Sequence, residues 1–554
     1  MIYRYRKRTA AALALAAMLL PQAAARAEDP TAEIRLLKER LKQLESKVAK
    51  QEKDRKKAAA RAHQFGLAPP PPVVCKDAPC PPPPELPPPV WVSFKNGLLV
   101  ESFEKDFSFR LGGRVFVDGG ASTQPFNGRE GTAGLSSARL QVEGKAFKYW
   151  LYKLQYEFVS STANGTTQGG IRDAFLALRH PALAFLPFTP EPVVLQIGNF
   201  YEPNGLERTN SKNYTDFIER AMVSDALAAN RHVGFAAFAH DKNWTAKAGI
   251  FTTSPEDRLL VPAPGIPPLP FPPAPVPPFL FPGVATGGGQ YFDVSGRLTY
   301  APILDKDTLI HLGASARYRR PNDETGLSDS RVMLLGSNIN SEANILGENL
   351  LGTPDLSCGL VPVAAALAAR AVAGKCVSDI VSYGAELVAS IGPFSLQGEY
   401  LGANYNRNAS ALAVATAANG LFPNSLGGTS LHFSGYYVYG TWYLTGESRA
   451  AAYKVSDFDR PATFGQIKIL DPVSKGGIGA WELAARFSEL NLNSGGIVGG
   501  REQNVTVGLN WYPDPGIRLM FNYINVVGLS APFNRPFLNG AHPSIFLARA
   551  QVNW

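Results

Sequence analysis

The feature that most constrains this chain is an alternation of apolar and polar residues, with a period of two, that starts at Phe107 and recurs to the last residue. In "FSFRLGGRVFVDGG", Phe107, Phe109, Leu111, Val115 and Val117 share one face while Ser108, Arg110, Arg114 and Asp118 share the other. "SARLQVEGKAF" opposes Leu140, Val142 and Ala146 to Arg139, Gln141, Glu143 and Lys145; "YKLQYEFV" opposes Tyr152, Leu154, Tyr156 and Phe158 to Lys153, Gln155 and Glu157. Successive side chains of a strand point to opposite sides, so each segment reads as a strand with one greasy and one polar face. The pattern predicts strands near 107–120, 135–147, 149–160, 170–180, 192–200, 232–240, 244–251, 289–300, 307–319, 379–390, 393–402, 431–444, 479–490, 501–511, 517–527 and 544–554.

A soluble sandwich would also bury one face of such strands. Three features favour a closed membrane barrel instead. The count is about sixteen, an even number suited to outer-membrane barrels. Tight turns at 148–149, 241–243, 391–393 and 513–516 interleave with long loops near 200–231, 252–288, 319–378 and 403–430, as periplasmic turns and external loops do. Aromatic residues, among them Trp150, Trp244, Tyr300, Trp442, Trp481, Trp511 and Trp554, fall near strand ends as an interfacial girdle would. No internal apolar run reaches the roughly 20 residues of a membrane helix, so an integral protein of this sequence must span with strands, and closure leaves no unpaired edge in lipid. The expected fold is therefore an all-β, 16-stranded antiparallel transmembrane β-barrel over 93–554. Periodicity gives no account of 445–478, which the alternation of turns places on the periplasmic side.

The polypeptide ahead of the barrel reads differently. Arg4, Arg6, Lys7 and Arg8, the apolar stretch Ala10–Leu20 and Ala25-Arg26-Ala27 have the layout of a secretory signal peptide over 1–27. Within 28–64, Ile34, Leu37, Leu41, Leu44 and Val48 alternate spacings of three and four, and Glu33/Lys38, Arg40/Glu45 and Lys47/Glu52 occupy g and following e positions with opposite signs. That is the seam of a short parallel coiled coil, marginal by itself and suited to clamping subunits held together elsewhere. Residues 65–92 form a Pro-rich linker expected to be extended.

The formal charge of +8 is concentrated in these leading segments. Without residues 1–64 the chain carries one net negative charge, which removes a bulk-charge argument for nucleic acid. Cys75, Cys80, Cys358 and Cys376 in an exported chain suggest disulfides within each close pair, although four cysteines allow three pairings. With no histidine near either pair, a metal site is the weaker reading. There is no G-x-S-x-G and no H-E-x-x-H, so nothing points to an enzyme or to a cofactor.

In order along the chain, "FSFRLGGRVFVDGG", "IRDAFLAL", "LQIGNFYEPNGLE", "GYYVYGTWYLTGESR", "GAWELAARFSELNL" and "VTVGLNWYPDPGIRLMFNYI" resemble the phosphate-selective porin O and P family over about 100–554. The resemblance implies a homotrimeric outer-membrane porin passing small hydrophilic solutes, with anions and phosphate foremost. It also implies a third loop, Tyr201 to Arg231, folded inward, and an aromatic C-terminal residue serving insertion. An anion losing water in a narrow pore needs charge and donors in return, which arginine and lysine supply. Candidates for the anion path are Arg110, Arg114, Arg139, Lys145, Lys153, Arg179 and Arg317 on the wall, with Arg208, Lys212, Arg220 and Arg231 on the loop or at its end.

By the same parity Lys247, Arg297, Arg486, Arg518 and Arg549 face the lumen, as do Asp118, Glu143, Glu157, Asp173, Asp293, Glu386, Glu399, Glu482 and Glu502. Most of these charges should pair across the wall. One departure bears on the solute: where the family commonly has two consecutive arginines before "ARL", this chain has Ser136-Ser137, leaving Arg139. Expected partners are outer-membrane lipid, small anions, copies of the same chain and, through the coiled coil, the cell wall. A mainly structural envelope tether is the alternative function.

Overall fold

A computed structural model describes residues 90–94, 97–125, 130–160, 169–252, 292–320, 341–347, 349–354, 356, 377–418 and 427–554. The chain divides into a unit over Met1–Leu86 and a second over Pro87–Trp554, to which all of these belong. The expected signal peptide, the coiled coil, the linker up to residue 89 and all four cysteines lie outside the described residues.

All sixteen expected strands are present. A hairpin of β1 (Val90–Ser93) and β2 (Leu98–Ser102) precedes them; β1 takes Val90–Val92 from the end of the expected linker. There follow β3 (Ser108–Ser122), β4 (Gly131–Ala146), β5 (Trp150–Ser160), β6 (Gly170–Leu178), β7 (Val194–Tyr201), β8 (Arg231–His240), β9 (Trp244–Phe251) and β10 (Phe292–Leu304). Next come β11 (Thr308–Arg320), β12 (Val377–Ile391), β13 (Phe394–Arg407) and β14 (Ser430–Tyr443). A minimal pair, β15 (Tyr453–Lys454) and β16 (Thr463–Phe464), stands apart from the barrel sheet before β17 (Ala480–Ser494), β18 (Ile497–Tyr512), β19 (Ile517–Ser530) and β20 (Ser544–Asn553).

Each long strand pairs antiparallel with its neighbour in sequence, and β20 closes on β3 from Ile545↔Ser122 to Asn553↔Arg114. Below the end of β20, β2 takes over the same edge of β3, with Leu98 opposite Leu111 and Glu101 opposite Ser108. The alternation has its expected consequence in β20, where Phe546 and Val552 are about half exposed while Arg549 and Gln551 are buried. Trp554 locks the seam by exchanging backbone hydrogen bonds with Gly113 at 2.9 and 3.0 Å. Its ring lies so close that a Cβ on Gly113 would come within 2.6 Å of it.

The short turns gather at one end, which is the periplasmic end in such barrels. Tryptophans and their partners form a ring there, with Tyr300 opposite Trp244, Phe394 opposite Trp442 and Trp481 opposite Trp511.

The largest apolar core is inside the barrel. Loop L3, residues 202–230, turns inward through α1 (Leu206–Thr209) and α2 (Met222–Leu227). Phe217, Met222, Val223 and Leu227 pack with Leu401, Phe433, Tyr437 and Leu490 of the wall and with Leu350 and Leu351 of the long loop after β11. Burying these faces together fills the lumen beside β13, β14 and β17 and is favourable for the usual hydrophobic reason. The side of the lumen lined by β3–β6 keeps a cavity of about 540 Å³.

Candidate functional site

L3 is fixed before it reaches the open side. Glu399 on β13 accepts the backbone N–H groups of Leu206 at 2.9 Å and Glu207 at 3.2 Å, satisfying donors that the first turn of α1 cannot pair within itself. Gly205, at φ 78°, makes the entry; a Cβ there would lie 2.5 Å from Glu399 Oε1. Arg220 donates to the carbonyls of Glu207 and Asn210, both at 2.9 Å, and so holds the loop's backbone rather than facing solute. Arg208 pairs with Asp225 at 2.6 Å and Lys212 with Glu219 at 2.7 Å. Burial raises the carboxyl of Glu207 above the usual range, against the pull of Arg486. At Glu202 burial acts in the same direction, but Arg317 and His232 outweigh it and hold that carboxyl well below the usual range.

From the periplasmic end a second segment enters. Residues 444–479, which contain the stretch 445–478 that periodicity left without account, turn back into the barrel and meet L3. Arg460 donates to the carbonyl of Thr209 at 2.7 Å and lies 3.4 Å from Asp173; Phe464 N donates to Asn210 Oδ1 at 3.2 Å. The wall grips the same segment: Lys153 pairs with Asp459 at 2.8 Å, Lys247 donates to Phe458 O at 2.9 Å, and Arg297 to Pro461 O at 2.6 Å. His311 Nδ1 is 2.7 Å from the Tyr453 hydroxyl. Arg449 reaches Asp216 of L3 at 3.0 Å. An isolated inserted segment would leave its carbonyls and charges unpaired away from water; here basic side chains of the wall receive them.

Where wall, L3 and insert meet, arginines come together. Arg114 Nη2 and Arg139 Nη2 lie 3.2 and 2.6 Å from the same oxygen of Glu157. Arg114 also donates to Asn213 Oδ1 of L3 at 3.2 Å. Ser137 accepts from Arg114 Nε at 2.8 Å and donates to Glu157 at 2.6 Å. Arg231 pairs with Asp173 and stacks over the Tyr201 ring, 4.0 Å from its centre; Arg460 lies over the same ring at 4.9 Å.

Below this layer is the 540 Å³ cavity, lined from the wall by Arg110, Arg114, Arg139, Lys145 and Lys153 and from the insert by Lys454 and Arg460. Glu143, Asp457 and Asp459 are the acidic side chains of its lining. Burial, reinforced by Asp459, raises the carboxyl of Asp457 above the usual aspartate range.

Of the residues singled out in the sequence, Arg114, Arg139, Lys153 and Arg231 are thus brought together. Arg110, 3.7 Å from Glu143, and Lys145, 3.0 Å from Glu101, lie nearer the periplasmic mouth. Arg317 is on the far wall, held by Glu202 at 3.0 Å and Asp293 at 2.6 Å. Arg179 is a correction: β6 ends at Leu178, so Arg179 is not a lumen residue but starts a periplasmic turn and pairs with Glu191 at 3.1 Å. Arg460, Lys454 and Asp459 were missed because the insert has no periodicity to show which way it points.

The family model for phosphate-selective porin O and P matches residues 109–554. The chain belongs to that family. Porin O of Pseudomonas aeruginosa is 25% identical over 456 residues, spanning 78% of this chain and 86% of that one. An uncharacterized protein of Caulobacter vibrioides is 24% identical over 468 residues, spanning 82% and 76%. Among solved structures, an anion-selective porin from Comamonas acidovorans matches with a TM-score of 0.41 at 12% identity, covering 81% of this chain and 100% of that one; so weak a likeness carries nothing about solutes. Porin O and P family barrels are outer-membrane channel proteins, and in this member of the family the inward L3 agrees with what the resemblance implied.

Proposed function

We propose that the protein is a passive outer-membrane diffusion channel for small hydrophilic solutes that favours anions and works as a homotrimer. The observation that supports this best is the lining of the open side of the lumen, with seven basic against three acidic side chains. Two of the seven, Arg114 and Arg139, share the single carboxylate of Glu157, so that group of three keeps one positive charge uncompensated. An ion entering such a passage exchanges water for charge and donors, and the balance here favours negative solutes. In this reading the signal peptide over 1–27 directs export and the coiled coil over 28–64 clamps three barrels in the periplasm.

Strict phosphate selectivity is a narrower matter. The family name favours it, while Ser136-Ser137 speaks for a broader anion preference.

The experiment is the reversal potential of the purified protein in a planar bilayer under a KCl gradient, followed by phosphate titration. Chloride preference is the expected result. A cation-selective potential would refute the anion reading, and the absence of step conductance would refute the channel.

A further inference from the structure

The basic lining that supports the anion reading differs from residue to residue in what it has left to offer an ion, and the inference drawn from that difference rests on the anion reading. An oxyanion gives up water only for charge and donors that the protein has not already used. Six of the seven basic side chains around the cavity are paired. Arg114 and Arg139 share Glu157, Arg110 stands by Glu143 and Lys145 by Glu101, and Lys153 pairs with Asp459 and Arg460 with Asp173. Their charges set the potential of the passage, while their donors are directed at carboxylates.

Lys454 is the exception. It lines the cavity from β15 of the insert and is exposed. Among the described residues its ammonium makes neither an ion pair nor a hydrogen bond, and Asp457 acts on it only through space. Its place is set all the same. The β15–β16 pair holds Lys454 opposite Thr463, and its side chain lies across Gly465, where a Cβ would press on Cε and come within 2.9 Å of Nζ. There Nζ stands 6.0 Å from the centre of the Tyr214 ring of L3. Tyr214 lines the same cavity, and its hydroxyl is likewise without a hydrogen bond among the described residues. A compact ammonium with three donors and a phenolic hydroxyl are thus close together, one on each of the two segments that enter the lumen. A halide offers them one sphere. A phosphate-type ion carries several oxygens, each accepting at about 2.5–2.9 Å, so it can take a donor from each segment at once.

We propose that Lys454 and Tyr214 form an oxyanion subsite where the insert meets L3, at which phosphate or a phosphate-like ion exchanges water for protein donors on its way through the open side of the lumen. The paired arginines attract the ion; Lys454 and Tyr214 hold it.

Inorganic phosphate is the probe, titrated against the chloride current of the full-length channel in a planar bilayer, and it is expected to block the wild type. Lys454→Gln should raise the half-blocking phosphate concentration by about tenfold. Tyr214→Phe, which keeps the ring and loses the hydroxyl, should raise it by about three- to tenfold. Gly465→Ala leaves every charge in place but pushes the Lys454 side chain aside, so it should weaken phosphate block while moving the KCl reversal potential little. Lys468→Gln removes the same charge from an exposed position of the insert outside the cavity lining and should leave phosphate block within about twofold of wild type. Heat-modifiable gel mobility establishes that each variant is a folded barrel.

A wild-type current insensitive to phosphate, a Tyr214→Phe channel blocked like wild type, or Lys468→Gln acting as strongly as Lys454→Gln would overturn the subsite. If the wild-type channel still prefers chloride to potassium in that case, the anion reading stands without it; a wild-type channel that prefers potassium would remove both.

Discussion

The charge balance at Glu157 can be changed in either direction by a single substitution. Arg114, Arg139 and Glu157 together carry one net positive charge, with the carboxylate 3.2 and 2.6 Å from its two partners. Glu157→Gln makes the group doubly positive, Arg139→Gln makes it neutral, and the double variant restores the original charge. For an ion about 6 Å away, one unit charge is worth about 0.7 kcal/mol at the dielectric of water and about 2.8 kcal/mol at an effective value of 20. The cavity opens to electrolyte, so the lower figure applies, about a threefold change in partitioning. Anions and cations respond oppositely, so the chloride-to-potassium permeability ratio should change by about tenfold for each single variant: upward for Glu157→Gln, downward for Arg139→Gln. Reversal potentials in a KCl gradient read the ratio directly. The double variant should return close to wild type. Single variants moving together, or a double variant as far from wild type as either single, would refute control by net charge at this layer. Breaking a buried pair costs about 3–5 kcal/mol, so barrel assembly of each variant is checked on gels.

Three further outcomes are expected. Replacing Asp457–Thr463 with a Gly-Ser bridge removes the tip that Lys153, Lys247 and Arg297 hold, and single-channel conductance should rise by about twofold or more as the obstructed cross-section opens. Because the Asp457 carboxyl is raised by burial and by Asp459, it takes up its proton at a higher pH than an ordinary aspartate near 4. On acidification, therefore, chloride preference should increase before aspartates of ordinary acidity titrate, and Asp457→Asn should flatten that rise; the linked folding term has the same sign, with stability gained as pH falls through the raised value. Gly205→Ala places a Cβ 2.5 Å from Glu399 Oε1 on a backbone at φ 78° and ψ 146°, so L3 should loosen at a cost of about 1–3 kcal/mol, seen as a lower urea midpoint and noisier open-channel current.

Period-two alternation was enough to read the barrel wall, because one face of every strand must meet lipid and the other must not. That single requirement identified all sixteen strands and placed Arg114, Arg139 and Lys153 on the inside. It misplaced Arg179 because parity says nothing about where a strand stops, and it passed over the β1–β2 hairpin, whose strands of four and five residues are too short to show a period. Trp554 was legible as an interfacial aromatic, whereas its fit over Gly113 depends on a residue more than four hundred positions away coming to the same seam.

The contents of the barrel were not legible in this way. Residues 444–479 show no alternation, yet they supply Arg460, Lys454 and Asp459 to the same space as L3. Within the barrel these segments are held by contacts from wall strands far apart in sequence, such as Lys153 with Asp459 and Arg297 with Pro461. A local pattern records the solvent on either side of a strand. It does not record which distant cation will receive a loop's carbonyl, so the division of the lumen into a packed side and an open basic side arises only when the sheet closes around its own loops.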